Sequence, residues 1–199
     1  MGRKEDIIES IISASLDEFM EKGVDRASME GIAKRAEVSK RTLYKYFSNK
    51  DFIYDHIINI LLESLSHFKL IPFSEEQEVE KQLDHIIDKK VEHITNPSYL
   101  KISRLVLSEL LKGREIKPEH MQKFMESEMK FFAWLEDGKK LGILKEDIPA
   151  EVMAKQFHAL IKGQIFYPTL FGFEELTDEG IELARASSKQ FFINSFVRK

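Results

Sequence analysis

"SMEGIAKRAEVSKRTLYKYFSNKDFIYD", residues 28–55, holds two short helical patterns and the start of a longer one. Ser28 suits an N-cap, because its hydroxyl can accept from an amide that a helix's first turn leaves unpaired. Met29, Ile32 and Ala33 then fall on one face. Ala36-Glu37-Val38 reads as a tight turn, and Ser39 caps a second short helix with Leu43 and Phe47 as inward positions. Ser48 stands three residues before Asp51, a capping-box-like start for a fourth helix that runs through Phe52, Ile57, Ile60, Leu61 and Leu65. Helices at 28–36 and 39–46 joined by so short a turn have helix-turn-helix spacing.

The charge along this stretch sets it apart. The chain carries a formal net charge of −4, yet Lys34 to Lys50 holds six basic residues and one acid. That window is +5 and the remainder −9, so a local basic patch sits on an acidic body. Such a patch suits a polyanion, and equally a solvated surface with chance clustering. The spacing favours the major groove of DNA, which is about 12 Å wide and admits one helix. The first residues of the second helix of such a pair meet base edges. Here they are Ser39, Lys40, Arg41 and Thr42. Arg41 can fork onto a guanine, and Lys40 and Lys45 suit phosphate as compact charges. Tyr44 and Tyr46 combine an apolar ring with a hydroxyl donor, although Tyr46 can equally pack beneath the helix. Lys50 starts the fourth helix, whose amides favour a phosphate.

The whole chain bounds the alternatives. Its 199 residues are 43% hydrophobic and include no cysteine, which excludes a disulfide framework and thiolate chemistry and fits a cytoplasmic location. The N-terminus lacks the continuous apolar core of a signal peptide, and no apolar run approaches the roughly 20 residues that cross a bilayer. Helical periodicity dominates. A first helix carries Ile8, Ile11, Ile12, Leu16, Phe19 and Met20 and ends near Gly23. Beyond a break at Pro72 and Ser74, helices are expected at 75–95, 98–112, 118–138, 149–167 and 176–197. The fold class is all-α, about nine helices, with a short-helix head at 1–48 and a helical body at 49–199.

Residues 28–55 closely resemble the N-terminal signature of the tetracycline-repressor (TetR) family of transcriptional regulators. The shared pattern is Ser28, then Ile32-Ala33, a short turn, Val38-Ser39, Thr42-Leu43-Tyr44, Tyr46-Phe47 and Lys50. Glu37 departs from it, since many members have Gly in that turn. A left-handed backbone there costs a non-glycine residue on the order of 1 kcal/mol. The resemblance implies a homodimeric all-α repressor whose body binds a small ligand and sets the separation of two DNA-reading heads. It implies base reading by Lys40, Arg41 and Thr42, and phosphate contacts by Ser28, Ser39, Tyr44, Tyr46 and Lys50. The expected partners are a palindromic double-stranded DNA operator, a second copy of the chain and an unidentified small molecule, with no cofactor and no membrane.

The body offers candidates and plain alternatives. Glu128 falls in the apolar arc of Met121, Phe124, Met125, Phe132 and Leu135, and Glu109 in that of Ile102, Leu105 and Val106. A buried carboxylate must be paired or neutral. Each therefore either lines a ligand cavity or makes an internal pair, with Arg104, Arg114, a lysine or a backbone donor. Leu105, Phe124, Phe131, Phe132 and Phe157, with Gln164, are cavity candidates or simply core. The resemblance implies a dimer contact made by the last two helices, for which Leu160, Ile161, Ile165, Ala184, Ser188, Phe191 and Phe192 are the candidates. The six histidines, His56, His67, His85, His93, His120 and His158, show no metal-ligand spacing. No nucleophile elbow or phosphate-cradling glycine loop is present, which argues against an enzyme. A helical adaptor for acidic proteins and a ligand-independent DNA-binding regulator remain as alternatives.

Overall fold

In the computed structural model, which describes residues 3–66, 72–173 and 175–198, helices follow one another from end to end. They are α1 (Arg3–Lys22), α2 (Met29–Arg35), α3 (Lys40–Tyr46), α4 (Lys50–Ser66), α5 (Val79–Ile94), α6 (Pro97–Leu111), α7 (Pro118–Lys140), α8 (Ala150–Ile161), a π-helical segment (Lys162–Phe166), α9 (Tyr167–Phe171) and α10 (Asp178–Phe196). Residues 150–171 run without a break, so the described residues form nine continuous helical rods, as the periodicity predicts. Extended pairing among them is one isolated bridge, Leu144 to Val197. His67 lies outside the described residues.

The chain divides into two compact units, residues 1–63 with 101–120, and residues 64–100 with 121–199. In the first, α1 packs on α2 and α2 on α3. Ile11, Phe19, Ile32, Leu43, Phe47, Ile53 and Ile57 are its buried side chains around the head. Each contributes roughly 1.5–3 kcal/mol relative to exposure. The two serine caps form as expected: Ser28 and Ser39 accept from the amides of Gly31 and Thr42, both at 3.0 Å. The third cap shifts by one residue. Asn49, not Ser48, accepts from Phe52 N–H at 2.8 Å, because α4 begins at Lys50 and makes Asn49 the residue before its first turn.

In the second unit, α5 buries Val79, Leu83, Ile86, Ile87, Val91 and Ile94, spaced for one helical face, and packs on α10. Phe131, Trp134, Phe157, Phe192 and Phe196 form an aromatic core, with Phe131–Phe157 stacked at 5.3 Å and Phe157–Phe192 edge-on at 5.3 Å. Helix α5 starts at Val79 rather than at residue 75, and two helix ends further on also differ from the sequence expectation. Helix α7 passes Gly138 because the missing Cβ lets Phe73 and Leu144 close in. A Cβ there would lie 2.6 Å and 2.8 Å from them. The helix expected at 149–167 continues to Phe171 despite Pro168. Pro168 has no N–H for an ordinary turn, and the π segment before it resets the ladder, with Tyr167 N–H bonding Lys162 O.

Candidate functional site

The head presents one polar face. Lys40, Arg41, Tyr44 and Lys45 are exposed on α3, whose opposite side buries Leu43 and Phe47. Tyr44 is 53% exposed, an unusual position for a large ring. Lys40 meets Glu30 at 3.0 Å, an exposed pair that phosphate can displace at little cost. Thr42 Oγ1 lies 2.8 Å from Ser39 Oγ, so the cap also orients a candidate base-reading hydroxyl. Tyr46 is half-buried, with the Lys45 ammonium 5.5 Å from its ring centroid. Lys50 has a different setting. Its ammonium donates to the carbonyls of Asp25 and of Ala27, the latter at 3.2 Å, and so braces the loop before α2. A phosphate there competes with those two carbonyls.

The turn between α2 and α3 takes the left-handed form. Glu37 has φ 55°, Val38 N–H bonds Ala33 O at 3.0 Å and Glu37 N–H bonds Lys34 O at 3.3 Å. That is a Schellman closure with glutamate in the glycine position. The support beneath was not singled out in the sequence. Glu18, 1% exposed, accepts from Lys22 at 2.7 Å and from Arg35 Nε at 2.8 Å, tying α1 to α2. These two cations hold its carboxyl below the usual range against the opposing effect of burial. Gly31 leaves room for it, since a Cβ there would sit 2.3 Å from Glu18 Oε1. Glu18 falls in the stripe of Ile11, Ser15 and Phe19, the signal that picked out Glu109 and Glu128.

Glu109 belongs to the first unit as an internal pair. Burial raises its carboxyl, but Lys112 at 2.7 Å, the Val24 amide at 3.5 Å and Arg114 at 3.2 Å more than offset this and lower it. Arg114 also bonds Asp51 at 3.1 Å and Asp25, and its guanidinium lies 5.2 Å from the Tyr54 ring centroid. Burial, with the Glu109 charge, pushes the Tyr54 hydroxyl up to about 12. Leu105, fully buried, is core of the same unit.

The second unit encloses a cavity of about 70 Å³. Leu65, Ile94 and Ile161 supply apolar wall, and Tyr99 and Phe124 supply rings. Lys90, His93, Glu128, His158 and Lys162 supply polar groups. Three of them form a line: Glu128 Oε2 to His158 Nδ1 at 2.7 Å, and His158 Nε2 to Lys90 Nζ at 2.7 Å. Burial lowers the Lys90 ammonium to about 8, opposed by Glu128 and aided by Lys162. Burial, then Lys90 and Lys162, lowers His93 to about 4. Burial also lowers His158, while burial of Glu128 is outweighed by His158, Lys90 and Lys162, which lower its carboxyl. Among the described residues, His93 Nε2 is buried without a hydrogen-bond partner.

Of the eight expected cavity residues, the structure brings Phe124 and Glu128 to this lining. Phe131 and Phe157 are buried in the aromatic core because they face inward with Phe192. Phe132 lines a surface groove with Glu136 and Asp147. Gln164 bonds Leu160 O at 3.2 Å and Ser187 at 2.7 Å. Leu105 and Glu109 lie in the first unit. The expected dimer residues need a similar correction. Ile161, Ile165, Ala184, Ser188 and Phe192 are buried within the chain itself, where α8 and the π segment meet α10. Such side chains are not available to a partner. Leu160 and Phe191 are part-exposed. Among the described residues no helix is long and apolar enough to cross a membrane.

Known proteins share this arrangement. Residues 11–57 match the model of bacterial regulatory proteins of the tetR family, and residues 81–194 match that of the AefR-like transcriptional repressor C-terminal domain. The HTH-type transcriptional regulator YdeS of Bacillus subtilis (strain 168) is 30% identical over 88% of this chain and 84% of its own length. The HTH-type transcriptional repressor SCO4008 of Streptomyces coelicolor is 24% identical over 80% of this chain and 79% of its own. The crystal structure of a TetR family regulator from Pseudomonas syringae pv. tomato str. DC3000 superposes with TM-score 0.77 at 28% identity, covering 96% of this chain and 97% of that one. A solved structure described as the flavonoid-responsive regulator FrrA gives TM-score 0.69 at 27% identity, covering all of both chains. With both halves matched, the chain belongs to the TetR family of helix-turn-helix transcriptional regulators and carries an AefR-like C-terminal domain.

Proposed function

We propose that the protein is a homodimeric repressor that grips a two-fold-symmetric operator and is released from it by a small ligand in the body cavity. The observation that carries the reading is the outward face of α3, where Lys40, Arg41 and Tyr44 stand exposed on a helix anchored by buried Leu43 and Phe47. Arg41 and Thr42, with Lys40, read bases. Ser28, Ser39, Tyr44, Lys45 and Tyr46 hold phosphates. The rigid cap and the Glu18 brace fix their geometry before binding. Two such helices, about 34 Å or a multiple of it apart, enter successive major grooves. A ligand weakens DNA binding to the extent that it prefers a protein arrangement with another separation. FrrA being described as flavonoid-responsive supports a small-molecule effector.

The dimer contact uses the faces of the last helices that the chain leaves bare. On α8 and the π segment these are Val152, Gln156, Ala159 and Gly163, continuing to Tyr167. On α10 they are Leu183, Ala186 and Gln190. Leu183 is 68% exposed, and a Cβ on Gly163 would meet nothing within 4 Å, so a partner helix can approach closely there. The test is gel retardation with operator DNA. Tyr44→Ala abolishes retardation while helicity and dimerisation stay intact, and unchanged retardation refutes the assigned face.

A further inference from the structure

Resting on the reading of the chain as a homodimer, we propose that a ladder of exposed rings at the end of the α8–α9 rod, Tyr167, Phe171 and Phe173, docks on a second copy of the chain and supplies the aromatic part of the dimer contact. The bare stripe of this rod, Val152, Gln156, Ala159 and Gly163, follows ordinary helical spacing. Continued at that spacing it would reach residues 166 and 170, yet Phe166 and Leu170 are buried. Tyr167 and Phe171, one residue further on, stand outside instead. The π segment Lys162–Phe166 accommodates that extra residue, since its wider turn shifts the register of everything after it. The rod thus turns Phe166 and Leu170 into the chain's own core and brings two rings round onto the bare stripe. Gly172, with φ 71°, then closes the helix: its N–H bonds Thr169 O at 3.3 Å and Phe173 N–H bonds Pro168 O at 3.0 Å. That closure folds Phe173 back beside Phe171, ring centroids 5.6 Å apart, and Phe171 stacks on Tyr167 at 6.3 Å. Buried Phe166, 5.4 Å from Tyr167, holds the inner end. The rings are ordered before any partner arrives, so docking loses little side-chain entropy.

Tyr167, Phe171 and Phe173 are 43%, 57% and 79% exposed. At that exposure they leave roughly 300–400 Å² of ring-bearing surface per chain in water. A standard interface buries about 800 Å² per partner. The neighbouring helix faces are built largely of small side chains, Ala159, Gly163 and Ala186, which let helices approach but contribute little apolar area. The ladder supplies close to half of what a stable dimer needs. Its occupant follows from chemistry and position. The six stripe positions from Val152 to Phe171 carry no charge, so neither an acidic nor a basic partner finds a complement there. The ladder also runs on without a break from the face that the homodimer uses, and a two-fold axis brings an identical uncharged aromatic surface against it.

The experiment is sedimentation equilibrium of the full-length chain, wild type against Phe171→Ser combined with Phe173→Ser, two exposed positions whose change should leave helicity intact. Each substitution acts twice in a symmetric dimer, and the dissociation constant of the dimer is expected to rise by about 30- to 1,000-fold. A second measurement uses the absence of cysteine from the chain. Phe173→Cys provides a single thiol, and in the dimer iodoacetamide should alkylate it about tenfold or more slower than in the urea-unfolded chain. A double variant whose dimer is as tight as wild type, or a thiol that reacts in the dimer at the unfolded rate, overturns the proposal while the homodimer reading stands. A wild type that sediments as a monomer at micromolar concentration overturns both.

Discussion

Replacing Glu109 by Gln separates a structural acid from a ligand-sensing one. The carboxylate is 2% exposed and accepts from Lys112, Arg114 and the Val24 amide. Glutamine keeps the volume but offers one acceptor and places an NH2 group against a cation. Breaking a buried ion pair from one side costs about 3–5 kcal/mol. Two features reduce that here. Arg114 keeps Asp51 and Asp25, and Lys112 is 58% exposed and returns to water. The expected loss is about 2–3 kcal/mol. For a chain of this length 1 kcal/mol moves Tm by about 2–4 °C, so the variant should melt roughly 5–10 °C lower by circular dichroism or calorimetry. The carboxyl is lowered in the folded protein, so its stabilisation is full above the ordinary glutamate value of about 4.3 and is lost as pH falls through the folded value. The gap between wild type and Glu109→Gln should therefore narrow only on acidification. Ligand response should persist, because Glu109 does not line the cavity. A Tm unmoved by the change, or lost ligand response at unchanged Tm, refutes the reasoning.

Three further outcomes follow from the same contacts. Glu37→Gly relieves a left-handed glutamate worth about 1–2 kcal/mol, less the entropy of glycine, for a net gain of about 0.5–1 kcal/mol in denaturant titration; a loss contradicts the turn geometry. Gly31→Ala drives a methyl into Glu18 and should destabilise the head by about 1–3 kcal/mol, seen as a lower urea midpoint. Ala159→Glu combined with Leu183→Asp should yield a folded monomer in sedimentation, since both sites are exposed in one chain; an intact dimer places the contact elsewhere.

Local signals were readable where one segment carried all the partners. Ser28 and Ser39 lie three residues from the amides they cap, and Leu43 and Phe47 follow from period alone. The cap of α4 was missed because serine and asparagine, equally good caps, stand side by side, and the sequence does not say which precedes the first helical residue. Pro168 signalled a helix end, yet a wider turn accommodated it. The cavity was legible only at Glu128 and Phe124. Its Lys90–His158–Glu128 line joins α5, α8 and α7, and no spacing rule links residues so far apart in sequence. Hydrophobicity alone did not tell which side of α10 serves the chain's own core: Ala184, Ser188 and Phe192 are buried in it, and Leu183 and Ala186 are left exposed.

The most direct measurement is selection of duplexes by the purified protein from a random DNA pool at low ionic strength. The account predicts an enriched inverted repeat, bound by two chains, with affinity falling steeply with salt as phosphate counterions are released. Enrichment of nothing, or of a sequence without two-fold symmetry bound by a single chain, contradicts it.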